Sequence, residues 1–188
     1  MELWHYRTLR FNLIVLMICW MACSFGFYML AYVLKYLQGS IFLNAYASSF
    51  AEIVGKTSTM LVLKCASLKR VFLISFGLSL LGIVLLIILS QNDQWIPLML
   101  LLAKFGLSQA FVVSYLSIVL LYPTILSSTA MGICNLLARV STIMSPLVTE
   151  VRSPLNLLIL FIIVGVAFLA SQCLILPQKE TEKVKNDE

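Results

Sequence analysis

The sequence predicts an all-α polytopic membrane protein with six transmembrane helices. Three observations carry that reading. Hydrophobic residues make up 61% of the 188 and charged residues only 11%, against about 45–50% and about 25% in soluble domains. Mean hydropathy is +1.01. The apolar residues fall into six runs, each near the roughly 20 residues that a helix needs to cross the hydrocarbon, with short polar breaks between them. A soluble fold is excluded on composition. A nucleic-acid-binding role is disfavoured, because the bases behind the net charge of +5 are scattered in short loops and tails and form no patch interleaved with aromatics.

In chain order, residues 1–10 form a polar segment with His5, Arg7 and Arg10. The first run, about 11–35, is longer than the roughly 7–15-residue core of a signal peptide and stays apolar past Ala22-Cys23-Ser24. It reads as a span. The second span, about 40–63, carries a small-residue stripe of Ala47, Ala51, Gly55 and Thr59, which lets helix backbones approach closely in lipid. A second stripe beside it holds Ser48, Glu52 and Lys56, with the acid one turn ahead of the base, the favourable order. Lys64 to Arg70 reads as a basic loop. The third span, about 71–90, is nearly featureless, and Ser90 to Gln94 is a polar turn with Asp93. The fourth, about 95–121, opens on Trp95 and Pro97, and Tyr122-Pro123-Thr124 hinges it to the fifth, about 128–149. Pro154 opens the sixth, about 154–176, as a helix-start residue. Pro177 stops it, and 177–188 is a charged tail expected to lack order.

Six spans put both termini on one side. That side holds Arg7, Arg10, Lys64, Lys69, Arg70, Lys179, Lys183 and Lys185, and the other only Lys35 and Arg152. The positive-inside rule therefore places both termini in the cytoplasm. None of Cys19, Cys23, Cys65, Cys134 and Cys173 forms a C-x-x-C pair, and His5 is the only histidine. The thiols read as apolar fillers, with no metal site and no cofactor expected.

Four charges stand inside the spans: Glu52, Lys56, Lys104 and Arg139. A base at mid-membrane depth costs roughly 2.5–3.5 kcal/mol on insertion scales and is usually functional. If Glu52 neutralises Lys56, two positive charges remain, so an anion should approach them: a carboxylate from elsewhere in the protein, or a solute. Arg139 shares a helix face with Asn135 and Thr142, a polar strip suited to a cavity wall, and a guanidinium clamps carboxylates in a bidentate fork. The bland alternative ties it to carbonyls or to an acid on a neighbouring helix. For Lys56 the alternative is a structural pair with Glu52. No span holds a pair of aspartates, a Ser/His pair or a histidine cluster, so a membrane-embedded enzyme is not expected.

Residues 103–148 carry a resemblance. Lys104, Phe105, Gly106, Ser108, Phe111, Tyr122, Pro123, Thr124, Gly132, Ala138, Arg139 and Pro146 resemble the pattern of helices ten and eleven in the organic anion and cation carriers of the major facilitator superfamily. W-H-Y-R-T-L-R resembles the basic segment before their helix seven. The chain departs at Leu120 and Ser127, where those carriers have a glutamate and an arginine, and its Ser67-Leu68-Lys69-Arg70 differs from their Gly-Arg-Arg loop. The resemblance implies the C-terminal six-helix half of such a carrier, transporting organic ions by alternating access. It implies substrate roles for Lys56 and Arg139 of the anion type, a structural role for Lys104, and pocket roles for Phe27, Tyr28, Phe111 and Tyr115, whose alternative is core or lipid packing. The departures imply weakened charge locks and poorly balanced alternating access in this chain alone. The expected partners are a small organic ion, the lipid bilayer and the missing N-terminal half or another transporter chain, and the expected location is the plasma membrane. The competing expectation is a non-transporting half that associates with full-length carriers through the Ala47/Ala51/Gly55 stripe.

Overall fold

The computed structural model describes residues 7–36, 40–89 and 95–175. The expectations for His5, for the turn around Asp93, for Pro177 and for the charged tail lie outside the described residues. Among the described residues there are six helices: α1 Arg7–Val33, α2 Ile41–Cys65, α3 Leu68–Leu89, α4 Ile96–Leu121, α5 Thr124–Thr149 and α6 Leu155–Gln172, with a 3-10 turn, Leu34–Tyr36, after α1. No strand occurs among the described residues.

Five of the helices are long and apolar enough to cross a membrane. The remaining one, α2, has the length, at 25 residues or about 38 Å, but Glu52 and Lys56 in its middle lower its apolarity. Its outward side is nevertheless apolar, with Phe42, Tyr46, Phe50, Ile53 and Leu61 exposed. Leu73, Leu81 and Ile88 on α3, with Ile162, Val166 and Leu169 on α6, are exposed in the same way. Outward surfaces this apolar suit hydrocarbon, not water.

Local chemistry sets the helix ends. Pro123 removes an N–H and pushes Tyr122 out of the helical region, to φ −111° and ψ 141°, so α4 stops there and α5 starts at Thr124. Lys69 and Arg70 lie in the first turn of α3, which begins at Leu68, so the break after α2 shrinks to Ala66 and Ser67. Pro97 sits in the first turn of α4 and Pro154 caps α6, positions where a missing N–H costs nothing.

The centre of the bundle is α1 against α4. On α4 lie α2 and α3; on α1 lie α5 and α6; and α3 meets α6. The middle helix of each triplet thus packs against the first helix of the other, as expected of two three-helix repeats. The crossings on the α4 side are very close. A Cβ added to Gly82 would stand 2.4 Å from the Ala103 nitrogen, and one added to Gly106 would stand 2.3 Å from the Ser75 carbonyl oxygen. At Gly55 the nearest atoms would be the Phe105 oxygen and Ser108 Cβ, both at 3.0 Å. Along α2 the buried line is Asn44, Ser48, Ala51, Gly55 and Thr59, with Ser48 in the place where the sequence suggested Ala47. At Gly55 the surface expected to associate with other carriers is thus taken up by α4 of the same chain.

Side chains tie the helix ends together. Asn12 donates to the Ile175 carbonyl at 2.8 Å and accepts from its N–H at 3.0 Å. Tyr122 donates to the Leu9 carbonyl at 2.7 Å. At the opposite end, Lys35 and Tyr36 donate to one oxygen of Glu150 at 2.9 and 2.8 Å. Deeper in, the Gln109 amide donates to Ser58 on α2 at 2.9 Å and accepts from Ser75 on α3 at 3.4 Å.

Two outcomes are expected. Gly106→Ala should cost about 1–3 kcal/mol through overpacking, whereas Gly132→Ala, where nothing lies within 4 Å, should stabilise slightly through helix propensity. Thermal unfolding in detergent compares them, and equal melting temperatures would reject the close crossing. The hydrogen bonds from Lys35 and Tyr36, with the Lys35 charge, hold the Glu150 carboxyl below its ordinary value. A depressed folded value means that the contribution is present above the unfolded pKa, about 4.3, and is lost as pH falls through the folded one. The melting-temperature difference between the wild type and Glu150→Gln should therefore be small but present at pH 7, weaken with salt, and vanish once pH falls below the folded value.

Candidate functional site

The site grows from helical spacing. On α1, Trp20, Ser24 and Tyr28 recur every four residues, with Phe27 beside them; on α4, Lys104, Ser108, Phe111 and Tyr115 follow the same face. The faces meet because α1 packs on α4. The third wall is α5, through Asn135, Ala138, Arg139 and Thr142.

A small cavity opens between these three helices. Its aromatic side is Trp20, Tyr28, Phe111 and Tyr115, and its polar side is Ser24, Asn135, Arg139 and Thr142. The rings form a continuous wall. Trp20 meets Tyr115 edge-on at 4.2 Å between centroids, Tyr115 lies 5.3 Å from Phe111, Phe111 lies 6.0 Å from Phe27, and Phe27 lies 5.5 Å from Tyr28. Such contacts fix ring positions beyond simple area burial.

Arg139 is exposed and has no ion-pair or hydrogen-bond partner among the described residues. The bland alternatives for it are therefore absent from the described part of the chain. Thr142 turns its hydroxyl back to the Ala138 carbonyl at 2.8 Å. From the preceding residue, Ser141 donates to the Met21 carbonyl of α1 at 3.2 Å, which fixes the rotation of α5 and with it the direction of Arg139.

Phe27 joins this cavity to a second charged group. The Lys104 ammonium lies 3.6 Å from the Phe27 ring centroid and donates to the Phe27 carbonyl at 2.7 Å. Lys104 is only 1% exposed, so its charge is met by a carbonyl and a π face. Lys56 approaches the same ring at 5.4 Å and pairs with Glu52. Glu52 and Lys56 are also the charges close enough to act on Lys104.

Of the residues singled out in the sequence, the structure brings Tyr28, Phe111, Tyr115, Asn135 and Arg139 to one cavity. Phe27, Lys56, Lys104 and Glu52 lie next to it, beyond the Phe27–Phe111 contact, and do not line it. Trp20 and Ser24 were missed. Their spacing of four and eight residues from Tyr28 marks them, but a Trp and a Ser inside an apolar run read as packing. Among the described residues no three His, Cys, Asp or Glu side chains gather as a metal site.

No protein-family model matches the chain. Among curated proteins it is 28% identical to mouse solute carrier family 22 member 4 over 149 residues, 78% of this chain and 27% of that protein. It is 31% identical to mouse organic anion transporter 3 over 150 residues, 78% and 28% of the two chains. It is 30% identical to human organic cation/carnitine transporter 2 over 146 residues, 76% and 25%. The chain thus spans about a quarter of the length of these relatives, and their names divide between anions and cations. Over about three-quarters of its length, the chain resembles the organic cation and anion transporters of solute carrier family 22.

Proposed function

We propose that this chain supplies one six-helix half of an organic-ion carrier of the plasma membrane, and that its solute is an organic anion. The observation that carries the reading is Arg139, a permanently charged guanidinium without a counter-ion among the described residues, standing on the wall of an aromatic cavity. A carboxylate or sulfonate satisfies its fork while the solute's apolar body lies against Phe111, Tyr115 and Tyr28. The charge inventory supports the same sign. Around the aromatic wall stand Arg139, Lys56 and Lys104, against the single carboxylate of Glu52. The names of the relatives support an organic ion without choosing its charge.

The chain accounts for one side of a pocket. In this reading an N-terminal half closes the other, and rocking of the two halves exposes the solute to each side in turn. No chemical step on the solute is involved. Both termini face the cytoplasm, because the basic residues crowd the end of the bundle where α1 begins and α2 meets α3.

Two measurements test this. Arg139→Asp should weaken binding of benzenesulfonate to the full chain in lipid nanodiscs by about tenfold or more, the range of a lost charge-assisted hydrogen bond, and should favour benzyltrimethylammonium; unchanged affinity for both probes rejects the site. For orientation, a membrane-impermeant maleimide should label Arg152→Cys in intact cells, whereas the exposed Cys65 should react only after permeabilisation. The reverse pattern inverts the topology.

A further inference from the structure

Glu52 has no task in the anion reading, yet among the described residues it is the carboxylate that stands beside two ammonium groups. Those two ammoniums are held very differently. Lys104 is buried and fixed by the Phe27 carbonyl. Lys56 is open, with 43% of its side chain exposed, and its hydrogen-bond acceptor among the described residues is Glu52 alone, itself 32% exposed. The two sit one turn apart on α2, so no other helix has to move for them to separate. A pair this exposed is weakly held, whereas an ammonium with no partner at this depth is costly. The empty site therefore needs Glu52, and a filled one does not.

We propose that Glu52 is a built-in counter-ion: it occupies Lys56 while the site is empty, and an arriving solute anion displaces it. The proposal rests on the reading of Lys56 as part of an anion site. Phe27 makes the exchange local, because its ring stands near Lys56 and also meets Phe111 and Tyr28, both on the wall of the Arg139 cavity. An aromatic solute with two anionic groups, one in the Arg139 fork, brings the second past Phe27 to Lys56 as Glu52 leaves. Glu52 then sets affinity by competition. The released carboxylate stays in the partly open region, where water solvates it.

The test is a cycle on the full chain in nanodiscs, read as binding of a biphenyl disulfonate, which carries one group for Arg139 and one for Lys56. Glu52→Gln should bind about fivefold more tightly than wild type, the factor that an exposed ion pair represents. In a Lys56→Met background the same change should have no effect. Unchanged or weaker binding in Glu52→Gln overturns the proposal, as does an equal gain without Lys56. A measurement on the wild type covers the case in which the variant does not fold. The biphenyl disulfonate should raise the carbodiimide-driven coupling of glycine ethyl ester to Glu52, read by peptide mass against Glu150 as reference; unchanged or reduced coupling overturns the proposal. If Arg139→Asp and Lys56→Met both keep wild-type affinity, it is the anion reading that has failed.

Discussion

The cavity side of the bundle depends on one buried ammonium. Lys104 stands at 1% exposure inside an apolar core, where an uncompensated charge would cost several kcal/mol. It is met by a backbone carbonyl and by the face of the same residue's ring. Both partners belong to Phe27, so the charge fixes the height and rotation of α1 against α4 at one point. Phe27 then positions Tyr28 and Phe111 through ring contacts, and Phe111 positions Tyr115. Without this anchor the aromatic wall would lose its register. Lysine is suited to the task because its ammonium is compact and its long apolar stem packs like a hydrocarbon.

The rest of the architecture explains why the cavity lies where it does. On one side of α4, glycines and serines let α2 and α3 approach until their backbones nearly touch, at Gly55, Gly82 and Gly106. In lipid this close packing replaces the hydrophobic drive available in water. On the other side, large rings from α1 and α4 stand between the helices, and α5 rests chiefly on α1. Small residues on one flank and large ones on the other leave the α1/α4/α5 side unable to close completely. A polar strip from α5 can therefore face the gap.

The helices were legible in the sequence because a spanning helix must be about 20 apolar residues long and the polar breaks here are short. Their ends were less legible. Hydropathy placed the fifth helix at 128, but Pro123 lets it begin at Thr124, because a proline supplies the start whatever the polarity of Ser127 and Ser128. The small-residue stripe was legible as a packing surface and not in its target, since periodicity shows which face is small and not which helix lies on it. Of the site, the charges were legible because their rarity in lipid gives them away. Trp20 and Ser24 were not, because nothing in a single sequence separates a cavity-lining ring from a packed one.

Resemblance and charge inventory bear on different questions. The relatives' names include both anions and cations, so descent alone leaves the sign of the solute open. The sign is a local matter. A shared aromatic wall can serve either charge, since rings offer an apolar face to any organic body and a π cloud to a cation. What discriminates is the excess charge that the wall's surroundings leave uncompensated. Around this wall Glu52 offsets one base, the Phe27 carbonyl and ring meet another, and Arg139 remains. In the proposed reading an anion is the partner of that guanidinium, and a cation entering here meets a like charge. Selectivity in such a fold therefore turns on one or two unpaired side chains, which can change sign by substitution while the packing that shapes the pocket stays as it is.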